Sequence, residues 1–95
     1  MSTKRTIFKD KLKSEGFAHV YDWTDKAGTT YSAHAHKGKV SFYVTLGSIA
    51  MKFEDREVIV KTGERMDVPV GATHIAIVGP EGCTFVVGEE IEGDS

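Results

Sequence analysis

From residue 17 onward the chain is a succession of short runs rich in β-branched and aromatic residues, each closed by a turn signal. His19-Val20-Tyr21-Asp22-Trp23 reads as a strand and Asp25 to Gly28 as a turn. Thr29 to His36 is extended, and Lys37-Gly38-Lys39 turns the chain. Val40 to Leu46 is the strongest strand, broken by Gly47. Ile49 to Phe53 and Glu57 to Lys61 flank a turn at Asp55-Arg56, and Thr62-Gly63-Glu64 turns again. His74 to Val78 and Cys83 to Val87 flank Gly79-Pro80-Glu81-Gly82, which reads as a plain β-turn. Many short strands at regular spacing predict an all-β sandwich or barrel. The 95 residues are expected to form one domain. A chain of this size buries roughly 60–70% of its extended surface, so barrel closure, a bound metal or a dimer would each add stability.

The segment before Gly16 differs. About residues 4–15 read as a short helix, capped by Ser2 or Thr3, with Phe8 and Leu12 on one face. Gly16 suits the left-handed position after the last turn, and Phe17 can fold back onto Leu12. Residues 1–15 carry a net charge of +3, which reads as a solvated face rather than a nucleic-acid surface. Residues 17–88 are then the barrel and 89–95 an acidic tail, expected to be solvated and partly frayed. The whole chain has a net charge of −2, which points to neither nucleic acid nor membrane. With one cysteine, no apolar run near the ~20 residues of a membrane span and no signal-peptide core, the expected location is the cytoplasm.

Three histidines carry most of the chemical information. On a strand, His34 and His36 point to the same side, which puts two imidazoles into one space. His74 follows the Pro69-Val70-Gly71 turn. Neutral imidazoles suit zinc, iron, nickel or copper, and three of them leave a coordination position open. No Gly-rich phosphate loop, G-x-S-x-G elbow or C-x-x-C pair occurs.

These residues resemble the motifs of a small single-domain cupin. The family's first motif is glycine, five residues, His-x-His, three or four residues, glutamate, six residues, glycine. Here it runs Gly28, His34, His36, Val40, Gly47, with valine in place of the glutamate. The second motif runs Gly63, Pro69, Gly71, His74 and then Val78 in place of an asparagine. The two motifs span residues 28–78.

The resemblance implies a double-stranded β-helix, or jelly-roll barrel. It also implies one divalent metal (Fe, Mn, Ni or Zn) on His34, His36 and His74, with Val40 unable to serve. Alternation from Val40 then sends Phe42, Val44 and Leu46 inward, and His74, Ala76 and Val78 form the matching set. Val40, Phe42, Met51 and Ala76 are expected to line the pocket.

Three neutral ligands leave the full charge on the ion, which favours an anionic fourth ligand. The implied function is a metal-dependent enzyme acting on a small anionic molecule, of dioxygenase, isomerase or decarboxylase type. The alternative is a non-catalytic small-molecule-binding or sensor module; the family includes members that have lost the metal, and without one His34, His36 and His74 would be polar groups lining an organic-ligand pocket. A homodimer is expected, since small cupins commonly pair. Tyr31 and Glu64 are the weak candidates for a general base. Tyr21, Trp23 and Tyr31 read as core or dimer contacts, His19 as a surface strand residue and Cys83 as an inert small hydrophobe. Glu64, Arg65 and Asp67 read as a solvated connection.

Overall fold

Two long strands organise the molecule. The structure, a computed structural model, describes residues 3–94. In chain order it contains α1 (Lys4–Ser14), β1 (His19–Asp25), β2 (Thr30–His34), β3 (Val40–Phe53), β4 (Glu57–Lys61), β5 (Arg65–Val68) and β6 (His74–Glu89). β3 and β6 run antiparallel along most of their lengths. The first half of β3 and the second half of β6 form one layer, edged by β5 and β1. The second half of β3 and the first half of β6 form the other layer, edged by β4 and β2. The core lies between the layers and includes Val40, Phe42, Val44, Met51, Ala76 and Phe85. This is the jelly-roll barrel of a double-stranded β-helix.

Bending both long strands across two layers requires a change of pleat. Along β3, Val40, Phe42 and Val44 are buried at even positions, whereas Ile49 and Met51 are buried at odd ones. Register shifts between Val44 and Leu46 and between Gly47 and Ile49 reverse the facing. Leu46, expected inward by simple alternation, is consequently 64% exposed. Gly47 does not end the strand. It sits inside β3 with φ 85°, and a Cβ there would stand 2.0 Å from the Gly82 carbonyl oxygen. β6 behaves in the same way. Ala76 and Val78 are buried before the bend, and Cys83, Phe85 and Val87 after it. The expected β-turn at Gly79 to Gly82 is instead this bend, since Val78 pairs with Ile49 and Cys83 with Gly47.

α1 closes the outer face of the first layer. Thr3 caps it by accepting a hydrogen bond from the Thr6 amide, while Ser2 lies outside the described residues. Leu12 is fully buried, which contributes roughly 1.5–3 kcal/mol. The Phe8 ring stacks on Tyr43 with centroids 4.0 Å apart. Gly16 takes φ 95°, and the Phe17 amide donates to the Leu12 carbonyl. Gly88 on β6 makes room for this packing, because a Cβ there would meet Phe17 and Leu12 at 3.0 and 3.3 Å. Arg65 and Asp67 lie in β5 and not on a free connection. The Arg65 guanidinium donates to both Glu15 oxygens at 2.6 and 2.8 Å and to the Tyr43 hydroxyl. The strand forms because Phe42 and Tyr43 of β3 offer it a full pairing edge. Among the described residues no helix is long and apolar enough to cross a membrane.

Candidate metal centre

The fold brings the three histidines together from two adjacent strands and one loop. His34 ends β2 and His74 opens β6, and the two are directly paired. Directly opposed residues of an antiparallel pair share a face. His36 lies beyond the end of β2, in the loop leading to β3. Strand pleating therefore does not aim it. Its carbonyl accepts the Gly71 amide at 3.0 Å, which ties the His36 loop to the turn before His74. The ring centroids lie 4.5–5.1 Å apart, and one nitrogen from each ring falls within 4.8 Å of the others.

Each ring is turned by a backbone carbonyl on Nδ1. These are Ser32 for His34 at 2.7 Å, Asp94 for His36 at 2.7 Å and Ala72 for His74 at 2.9 Å. A carbonyl only accepts, so each Nδ1 is the donor, and in the neutral ring Nε2 is then the nitrogen with the lone pair. Fixing the outer nitrogen in this way is how a protein presents imidazole ligands to a metal. Burial holds the His74 imidazole below the usual histidine range, and the neighbouring His34 and His36 act in the same direction. The neutral, ligating form is thereby favoured. The donor set fits a divalent transition metal.

Beside the histidines is a cavity of about 190 Å³. Val40, Phe42, Met51 and Ala76 line it, together with Ile49, Val68, Phe85 and Val87. All eight are buried. Val40, where the motif has glutamate, contributes an apolar wall beside the histidines.

Tyr21, Trp23 and Tyr31 also line the cavity, so their side chains are more than core filler. Trp23 is 52% exposed and marks where the cavity meets solvent. Asp25, expected in a turn, ends β1 and organises this rim. It accepts from Trp23 Nε1 at 3.0 Å and from the Tyr31 hydroxyl. Burial and the bond to Asp25 push the Tyr31 phenol up to about 12, so it stays protonated and is no general base near neutral pH. Glu64 is exposed and absent from the cavity wall. His19 is on β1, 3.9 Å from Glu92, and stands outside the histidine cluster. Cys83 is buried in the core, and burial raises its thiol to about 12.

The acidic tail is exposed at residues 90–93, as expected, but departs from expectation at Glu89 and Asp94. Glu89 is 2% exposed, and its carboxylate accepts from the Tyr21 hydroxyl at 3.1 Å. Asp94 bonds to the His36 loop through both carboxylate oxygens and its carbonyl. One signal for this was in the sequence. Cys83, Phe85 and Val87 share the inward parity of the second half of β6, and Glu89 is the next member of that series. The role of Asp94 had no comparable signal.

No family model matches the chain, and no curated protein matches it. Solved structures do. A cupin-2 domain protein from Shewanella frigidimarina superposes with a TM-score of 0.63 at 20% identity, over 72% of this chain and 65% of the other. KdgF from a Halomonas species gives 0.64 at 17% identity, over 79% and 70%. The polyketide cyclase RemF from Streptomyces resistomycificus gives 0.64 at 25% identity, over 76% and 54%. The matched region thus spans less than two thirds of the Shewanella protein and of the cyclase.

Proposed function

We infer that this chain, a small cupin by fold and by both of its histidine motifs, holds one divalent metal on His34, His36 and His74 and uses it to act on a small anionic molecule. The observation that carries the reading is that one ring nitrogen from each of the three histidines lies within 4.8 Å of the others, while a backbone carbonyl on each Nδ1 leaves Nε2 as the free nitrogen of each ring. Bound there, the ion would supply Lewis-acid polarisation or, if it is iron, reactivity toward dioxygen. The protein's own residues bind, orient and exclude water. Three neutral ligands leave the ion's charge uncompensated, so an anionic group is drawn to the open position. The apolar wall limits what that group can be attached to. Cavities of about 150 Å³ lined by Leu, Ile and Phe accept a single benzene ring. The cavity here, about 190 Å³, suits a body of one ring or a short branched chain. The open side at Trp23 is where anything larger would protrude.

The test is metal analysis of protein purified without a histidine tag or chelator. We expect close to one divalent ion per chain, and none after His74→Ala. Equal metal content in the two proteins would end the reading. A second reading, a binding or sensor module built on the same ion, is supported by the composition of the cavity wall. Among the described residues, its titratable groups apart from the histidines are Tyr21 and Tyr31. Loading Fe, Mn, Ni and Zn separately and screening small carboxylates, thiols and diketones for oxygen uptake and product separates the two. Turnover that is lost in His36→Ala supports the enzyme, and saturable binding without turnover supports the module.

A further inference from the structure

We propose that the C-terminal acidic segment is a clasp that orients His36, with Asp94 as a positioning residue for the metal centre. The proposal rests on the three-histidine reading above. His34 and His74 are each oriented by a carbonyl two residues earlier in their own segment, Ser32 and Ala72. His36 has no such local anchor. Its Nδ1 partner is the Asp94 carbonyl, 58 residues away in sequence.

The segment is shaped to deliver that carbonyl. After β6 ends at Glu89, the Glu90 amide donates to the Lys39 carbonyl at 2.9 Å, and the Glu90 carboxylate accepts from the Lys39 amide at 3.1 Å. The chain then turns back, with the Gly93 amide on the Glu89 carboxylate at 3.3 Å and the Asp94 amide on the Ile91 carbonyl at 3.3 Å. The Asp94 carboxylate spans the loop after His36, accepting from the Lys37 amide at 3.0 Å and the Gly38 amide at 2.8 Å. Gly38 leaves room for this packing, since a Cβ would stand 2.8 Å from the Glu90 carboxylate and 3.0 Å from the Ile91 side chain, and both would have to shift. Six hydrogen bonds of loop and tail thus hold one carbonyl against one ligand. Outer groups of this kind fix ring orientation and tautomer, and their loss weakens metal binding by about 10- to 100-fold.

The experiment compares the full chain with a chain lacking residues 92–95 and with Asp94→Ala and Asp94→Asn. In metal-free protein, ¹H–¹⁵N NMR of the imidazoles should show His36 of the full chain as a single form protonated at Nδ1. In the shortened chain His36 should mix tautomers, while His34 and His74 keep theirs. Metal titration of the same proteins should show a loss of about 10- to 100-fold on shortening. Asp94→Ala, which leaves the carbonyl but frees its holder, should show a smaller loss that Asp94→Asn restores in part. An unchanged His36 tautomer with unchanged affinity in the shortened chain would overturn the proposal. If the full chain binds no metal, the metal reading fails, and the tautomer comparison still decides whether the segment orients His36. Should the shortened chain not fold, Asp94→Ala carries the same comparison, because it leaves every strand intact.

Discussion

Restoring a carboxylate at position 40 is a sharp perturbation of this site, because the structure fixes two opposing consequences. Val40 is 5% exposed and faces the histidine cavity. Directly opposite it across the β3–β6 pair is Glu89, 2% exposed. Opposed residues have Cβ atoms about 4.5–5.5 Å apart, and like charges at that spacing repel. Without metal, Val40→Glu forfeits roughly 1.5–3 kcal/mol of apolar burial. It also places a poorly solvated carboxylate in the cavity, at about 1–3 kcal/mol. For a domain of this length each kcal/mol lowers Tm by about 4–8 °C, so the metal-free variant should melt at least about 10 °C below wild type.

With metal present the sign reverses. The new carboxylate is a fourth ligand and is neutralised by the ion, so metal binding should tighten by about 1–3 kcal/mol. That is about 5- to 150-fold in Kd. The added negative charge should also weaken any anionic probe that binds through the ion. Thermal melts in chelator and in metal, paired with calorimetric titration of metal and of a small carboxylate, read all three effects. A variant with wild-type melting in chelator and a wild-type metal-induced rise would show that side chain 40 does not share the site, and the strand register argued here would fall with it.

Two predictions concern the scaffold. Gly47→Ala should cost about 3 kcal/mol or more in urea unfolding, because a Cβ would meet the Gly82 carbonyl at 2.0 Å at φ 85°. Gly63→Ala, at φ 86° with no atom within 4 Å, should cost only the left-handed strain of about 1–2 kcal/mol. The Arg65 guanidinium holds the Glu15 carboxyl down at about 2 from an ordinary 4.5. A depressed folded-state pKa adds stability above the unfolded value that is lost as pH falls through the folded one. The stability advantage of wild type over Glu15→Gln should therefore be full near pH 6 and shrink between about 4.5 and about 2, as read by denaturation at each pH.

What the sequence made legible and what it hid have separate physical causes. The barrel was readable because strand propensity and turn residues are local, and His34 and His74 were readable because fixed spacings put them at strand ends. Alternation was followed safely from Val40 to Val44 and failed at Leu46, because a bulge reverses the pleat without changing composition. The bulge is set by the approach of Gly47 to Gly82, a contact between residues 35 apart in sequence that no local pattern encodes. The anchoring of the tail through Glu89, Glu90 and Asp94 is hidden for a related reason. By charge alone residues 89–94 look like a solvated acidic run, yet the loop after His36 carries backbone amides that need acceptors. The carboxylates of Glu90 and Asp94 meet that need. With Val40 where the motif has glutamate, the chain still places carboxylates behind its histidines, where they fix a loop and so hold the Asp94 carbonyl on the His36 ring.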